Sequence, residues 1–336
     1  MALNLQTSAG RVRRAVISAC MLLVAAQLLS VASGQTTYET LFNAIKNKQS
    51  SLEISGTVKL IGNLPEISHS MTIVGTNKAK IDADEWSYRI FVVKGPGKLV
   101  LKDIELYKGQ PPLKSSKPAK LFPPLADGGA VLLYGGATGE FDNVFFNHSK
   151  SWRGAGVAAY GGSTVKVSGS WFLNNYAWYA GGAIYLAEKS TGSATSTRFE
   201  RNKGPDEGGA IVVTGGSQFT STGCRYRKNT CKEEGGGAWA LDGAGSWAVS
   251  ANDTFVVNRC EFKSARGGAI IVSDKATLFV LKSTFDTNRV PSGIGNTIWV
   301  DGGVIGLLYG PPTSVVEFPK GKAVSIPTNP TGITIP

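Results

Sequence analysis

Histidine is almost missing from this chain: 336 residues carry only His69 and His148. Imidazole-built metal sites and histidine proton shuttles are therefore confined to those two positions. Long apolar runs are also scarce. After the first 34 residues no stretch approaches the ~20 apolar residues that a membrane-spanning helix needs, and the tail from Lys320 to Pro336 is polar and proline-rich, without a stop-transfer or lipid-anchor pattern. Helical periodicity is rare too. Past Gln35 the one convincing window is Tyr38 to Lys48, where Leu41, Phe42 and Ile45 form an apolar face. A helical bundle and an alternating α/β fold are both excluded, and a short N-terminal capping helix within residues 35–50 is expected.

The first 34 residues differ from the rest. Arg11, Arg13 and Arg14 precede an apolar run from Ala15 to Leu29, and Ala32, Ser33 and Gly34 follow. That layout predicts a signal peptide over residues 1–34 and a secreted, extracellular or cell-surface protein. Removing it takes three arginines from the formal charge of +11, leaving 32 basic against 24 acidic residues, or +8. The basic residues are scattered along the sequence. Such a balance favours acidic polymers, and secretion turns the expectation from nucleic acid to acidic extracellular or cell-wall polysaccharide. Of the four cysteines, Cys20 lies in the leader, so Cys224, Cys231 and Cys260 remain for an oxidising compartment: one disulfide and one spare thiol.

What the chain has in abundance is glycine, 42 residues, and much of it is periodic. Gly-Gly-Ala-Val at 128 returns as Gly-Ala-Gly-Val at 154, Gly-Gly-Ala-Ile at 181 and 208, Gly-Gly-Ala-Trp at 236, Gly-Gly-Ala-Ile at 267 and a degenerate Gly-Asn-Thr-Ile at 295. A second register pairs an aromatic with Asn three positions on: Phe172 with Asn175, Phe199 with Asn202, Tyr226 with Asn229, Phe285 with Asn288. Phe145 with His148 and Phe262 with Ala265 read as variants. Both registers recur mostly every 26 to 28 residues, stretching to 36 across an apparent insertion from Asp242 to Asn258. A strand-and-turn unit of this size cannot bury its apolar face alone, so units must stack as the coils of a parallel β-helix, an all-β solenoid. Such a fold runs as one domain over residues 51–316, with a Pro- and Lys-rich insertion at 110–126 and a tail at 317–336. The aromatics Phe145, Phe172, Phe199, Tyr226, Phe262 and Phe285 should form an inward ladder. The Asn should take a left-handed corner and bond between coils, and Gly-Gly should fill corners too tight for a Cβ.

These motifs resemble two related groups. The paired Gly-Gly-Ala-Ile and Phe-x-x-Asn units from Gly128 to about Ile298 are similar to the repeats of the polymorphic outer-membrane protein family. Ser51 to Val316 resembles the pectin-lyase-like superfamily of right-handed β-helices. The first resemblance implies an extracellular adhesive passenger carried by a C-terminal membrane β-barrel; no run of alternating strands suited to a barrel follows Val316. The second admits pectin-degrading enzymes, but the Asn-Thr-Asp, Asp-Asp, Gly-His-Gly and Arg-Ile-Lys segments of polygalacturonase-like sequences do not occur.

Several residues could carry chemistry. Asp82, Asp84 and Glu85 beside Trp86 form the densest acidic group, a weak calcium or sugar site against the plainer reading of a solvated turn. The position before each glycine pair holds Asp127, Arg153, Ala180, Glu207, Gly235 and Arg266, so Asp127 and Arg153 are placed to pair across adjacent coils. Tyr134 and Tyr160 share one corner and Trp152, Trp178 and Tyr179 another, with Tyr185 and Trp299 following glycine motifs; together these could stack sugar rings. Cys224 and Cys260 each stand two residues before a presumed ladder aromatic and are the expected disulfide, with Cys231 left over. Asn147 and Asn252 begin glycosylation acceptors if the host is eukaryotic. The composite reading is a secreted non-catalytic β-helix that binds polysaccharide or another surface ligand without a cofactor. The alternatives are a divergent polysaccharide lyase or glycoside hydrolase, marked by acids and a base converging on one face, and a purely structural wall component.

Overall fold

The computed structural model describes residues 36–112, 126–293, 295–308 and 316–317. The expected leader, most of the 110–126 insertion and most of the 317–336 tail lie outside these residues. The chain winds into a single right-handed parallel β-solenoid of about nine turns, as the repeats require. A helix, α1 (Tyr38–Lys46), precedes the coils. Thr37 caps it, its hydroxyl accepting from the Thr40 N–H at 3.2 Å, and Leu41, Ala44 and Ile45 are buried. Phe42 instead stays partly exposed against Tyr38.

Two sheets line the solenoid. The longer begins with Ser51–Lys59 and Ser70–Asp82 and runs through Lys98–Tyr107 and Thr138–Asn147. Beyond Thr138–Asn147 each coil splits that strand in two, as in Thr164–Ser168 and Trp171–Leu173. The split falls where one residue per coil turns left-handed: Gly169, Ser196, Gly223, Asn252 and Lys282. The second sheet stacks Phe91–Lys94, Val131–Tyr134, Val157–Ala159, Ile184–Leu186, Ile211–Val213, Trp239–Leu241, Ile270–Ser273, Ile298–Asp301 and Val316–Glu317, all parallel. Alternate residues point inward and form one continuous core from Leu41 to Ile305.

The aromatic ladder is real, but two of its members differ from expectation. The stacked rings are Phe146, Phe172, Phe199, Tyr226, Phe255 and Phe285, with centroids 4.3 to 4.9 Å apart. Phe145 and Phe262 are exposed instead. Phe145 is one residue out of phase along a strand, and a shift of one flips a side chain to the other face. Phe255 keeps the spacing near the period, with its own partner at Asn258, so the large insertion read from Asp242 to Asn258 does not exist.

The corner asparagines do the inter-coil bonding. Asn202 donates from its backbone and its side chain to Asn229 Oδ1 at 3.0 and 3.1 Å, and its Nδ2 also reaches the Phe172 carbonyl. The same triplet repeats at Asn175, Asn229 and Asn258. The left-handed residue is the one before each asparagine, Asn174, Arg201, Lys228, Val257 and Thr287, not the asparagine itself. The glycine pairs behave as expected. Gly236 has φ +71°, and a Cβ there would lie 2.0 Å from the Trp239 carbonyl oxygen; one on Gly237 would lie 2.2 Å from that of Gly268.

The disulfide joins Cys231 to Cys260, with Cα atoms 4.6 Å apart, and not Cys224 to Cys260. Once Phe255 replaces Phe262 in the ladder, each of these cysteines stands five residues past its aromatic, and the two pair directly in register. Cys224 is buried and reduced. It sits in a second corner ladder, Ser170, Thr197, Cys224, Asp253 and Ser283, in which each side chain accepts the backbone N–H of the preceding coil's member.

Two outcomes are expected. Asn229→Ala strands the Asn202 N–H groups and the Phe199 carbonyl in the interior, so denaturant unfolding should show a loss of about 3 kcal/mol or more, against under about 0.5 kcal/mol for Lys228→Ala, a corner change that touches no ladder. Peptide mapping without reduction should recover Cys231 linked to Cys260 and Cys224 as a free thiol; a Cys224–Cys260 peptide would overturn the register.

Candidate functional site

Stacking in register turns repeat positions into columns about 4.8 Å apart. Two columns systems carry polar chemistry on the outside of the coils. The first occupies the outward side of the second sheet. Its floor is Leu132, Ala158, Tyr185, Val212, Ala240 and Ile271, aligned by strand pairing. One wall is the column before the glycine pairs, from Arg153 through Ala180, Glu207 and Gly235 to Arg266. The other runs through Tyr134, Tyr160, Thr214 and Asp242.

At the N-terminal end tyrosines fill this trough. Tyr160 is buried and donates its hydroxyl to Asp127, whose other oxygen accepts the Arg153 N–H at 3.0 Å. Arg89 is buried beside them and donates to the carbonyls of Asp127 and Gly128. Burial pulls its guanidinium down to about 10, still charged at neutral pH. Burial raises the Asp127 carboxyl, opposed by Tyr160 and Arg153. Tyr134 donates to Glu66. Arg153 lies over the rings of Tyr179 and Tyr185 at 5.5 and 5.4 Å, and Tyr179 stacks on Trp152 at 5.7 Å. Asp127, Arg153, Tyr160, Trp152 and Tyr179 are therefore brought together, with Tyr134 in the same apolar cluster as Tyr160. Trp178 is not; it turns away against Tyr176. The expected Asp127–Arg153 contact runs through the Arg153 backbone, not as a side-chain ion pair. Tyr134 and Tyr160 expose only 8% and 3% of their surface, so neither is an open stacking platform.

Toward the C-terminus the trough becomes acidic. Glu207 makes no side-chain hydrogen bond among the described residues, and enclosure, with Asp242, Glu234 and Asp206 nearby, pushes its carboxyl up to about 8. Burial and the same neighbours raise Glu234 as well. Asp242 is held by Thr214 Oγ1 at 3.4 Å and Ser273 Oγ at 3.1 Å. The sequence did not single out this carboxylate group, because its members come from two coils and meet only when those coils stack.

The second system is basic, and it corrects the reading of scattered charge. Outward residues flanking the aromatic ladder and the asparagine corner align Arg198 with Arg225, and Lys203, Thr230, Arg259 and Arg289 in one column. Arg201, Arg227 and Lys228 stand between them. The acids on this corner are fewer: Glu200, which binds Arg227 at 2.7 Å; Glu261, 3.5 Å from Arg259; and Asp286. Arg225, Lys228 and Arg289 make no ion pair among the described residues. Arg198 lies 4.4 Å above the Trp171 ring, which stacks on exposed Phe145. Aligning the repeats around each aromatic would have revealed these columns.

The remaining candidates are structural in appearance. Asp82, Asp84 and Glu85 pair with Lys80, Lys59 and Lys108, while Trp86 donates to the His148 carbonyl at 2.7 Å under Lys150. Among the described residues no group of three His, Cys, Asp or Glu side chains is placed to hold a metal ion. Asn252 is exposed, whereas the Asn147 amide already donates to Glu105 at 2.8 Å.

Residues 125–253 match the family model of the right-handed β-helix region. No curated protein and no solved structure matches the chain.

Glu207 sets a pH dependence of stability. Its folded pKa lies above the ordinary 4.5, so it contributes stability that is full below that value and lost as pH rises through about 8. Glu207→Gln should therefore be more stable than the parent near pH 9 by about 1 kcal/mol, allowing for its solvent-facing edge, and equal to it near pH 4. Equal unfolding midpoints at both pH values would show that the carboxyl is not held protonated.

Proposed function

We propose that the chain is an extracellular β-helix that binds acidic polysaccharide, without cutting it, along the basic corner. One observation carries the reading: the fold places Arg198 directly beside Arg225, and Arg259 beside Arg289, with too few acids to neutralise them. Like charges opposite one another on adjacent strands destabilise a sheet. An anionic chain laid across the coils relieves that repulsion at several points at once, and weak exposed contacts sum when the array is regular. The leader-like residues 1–34 support secretion, and the likeness of the repeats to adhesive passenger domains supports binding over catalysis.

Enzymatic action on acidic polysaccharide asks for acids and a base on one face. The trough brings Asp206, Glu207, Glu234 and Asp242 together with Arg153, which meets that description. Its charge, however, repels a polyuronide, so the geometry favours binding at the basic corner.

The purified protein should bind polygalacturonate and not a neutral glucan, with affinity falling steeply as salt screens the contacts. Arg198→Glu with Arg225→Glu should weaken binding about ten-fold or more, each exposed contact being worth up to about 1 kcal/mol. Unchanged affinity in that variant, or equal binding of neutral glucan, sinks the proposal. Unsaturated or reducing-end product in the same wells would establish the lyase or hydrolase reading in its place.

A further inference from the structure

The basic corner is not uniform along its length. Toward its C-terminal end Arg259, Glu261, Arg289, Val290 and Pro291 line a hollow of about 520 Å³, within the ~300 to 1,000 Å³ range of small-ligand sites. Strand pairing sets Arg259 beside Arg289 in adjacent coils, and both are exposed. Glu261 lies 3.5 Å from Arg259 and 3.9 Å from Lys203, so one carboxylate serves two cations, and Arg289 has no ion pair among the described residues. Neither approach to Glu261 is close enough for a good hydrogen bond, so its oxygens keep their capacity to accept. Pro291 is exposed and offers an apolar ring to the hollow. Behind it the Cys231–Cys260 disulfide joins two coils, with Cys260 directly after Arg259 in sequence, and buried Val290, directly after Arg289, packs in the same cluster as the two cysteines. The backbone that carries both arginines is therefore braced by the bridge.

We propose that this hollow holds one uronate residue of the acidic polysaccharide, an inference that rests on the basic-corner reading and locates its specificity. The sugar carboxylate lies between Arg259 and Arg289, whose planar guanidinium groups suit a two-point contact with it. Glu261 accepts from the ring hydroxyls, and Pro291 meets the apolar face of the ring. Such a mixture of a small apolar surface and a few convergent polar groups is what fixes the orientation of a small ligand. A bare anion or an acidic peptide would use the arginines alone, and to either of them Glu261 is a like charge that repels. A sugar acid is the ligand to which the bases and the acid both contribute. The disulfide brace lowers the ordering cost of binding, which sets this part of the corner apart from Arg198 and Arg225.

The test is titration calorimetry of the full chain at low salt with digalacturonate, alongside the polygalacturonate polymer. Arg289→Ala should weaken digalacturonate about ten-fold, the scale of one charge-assisted hydrogen bond. Arg289 makes no side-chain hydrogen bond or ion pair among the described residues, so this variant keeps the fold. Arg198→Glu with Arg225→Glu should weaken the dimer less than Arg289→Ala does, and the reverse order overturns the placement. Glu261→Ala separates a sugar from a bare anion. Loss of dimer affinity is expected, because hydroxyls lose their acceptor, whereas a gain, from removal of a like charge, overturns the sugar assignment. Equal binding of glutarate, a dicarboxylate without hydroxyls, overturns it too. Polymer binding by a protein that ignores the dimer overturns the hollow and leaves the basic corner standing, and binding of neither ligand overturns both.

Discussion

Everything in this solenoid hangs on the bond between one corner asparagine and the next. Each amide oxygen accepts from the coil before it, and each amide nitrogen donates to the coils on either side, so no member can move without stranding polar groups in the interior. Strand pairing alone tolerates slippage when side chains on both faces are small. A buried polar ladder does not. It locks every coil at one register from Asn175 to Asn288, and the aromatic ladder, the glycine corners and the Cys231–Cys260 bridge inherit that register. The second ladder, through Cys224 and Asp253, repeats the device at the next corner with different side chains. Any acceptor of the right reach serves there, which is why serine, threonine, cysteine and aspartate all occur.

Register is also what creates surface chemistry. Arg198 and Arg225 are 27 residues apart in sequence and neighbours across a strand pair. Glu207 and Asp242 approach from opposite walls of the trough. Neither grouping exists in a single repeat. A solenoid thus converts a bias at one repeat position into a line of charge, and the net charge of the whole chain says little about any one face.

The fold was legible because its determinants are local and periodic: Gly-Gly-Ala-Ile needs only its own φ angles, and Phe-x-x-Asn only its own turn. The errors have two causes. Phe145 and Phe146 are adjacent, and strand alternation rather than the spacing to His148 decides between them; Phe255 keeps the full motif with Asn258, and Phe262, followed three residues on by Ala265, stood in its place. Taking Phe262 for Phe255 then carried the disulfide to Cys224. The candidate site was less legible. Asp127, Arg153, Tyr160, Trp152 and Tyr179 do converge, yet the tyrosine hydroxyls are consumed by Asp127 and Glu66, and an aromatic used as a lid on a polar network looks the same in sequence as one offered to a sugar.

Charge separation between the two faces follows from the same geometry and limits what each can do. Within each face neighbouring charges sense one another at ordinary salt, because columns about 4.8 Å apart lie well inside the screening length of about 10 Å. The basic corner answers its crowding with long side chains that reach solvent, the Trp171 ring and the few acids beside them. The trough cannot, since its carboxyls are short and enclosed, and it answers by keeping a proton on Glu207. That proton leaves as pH rises through about 8, so the folded state meets the crowding of carboxylates only in alkaline solution.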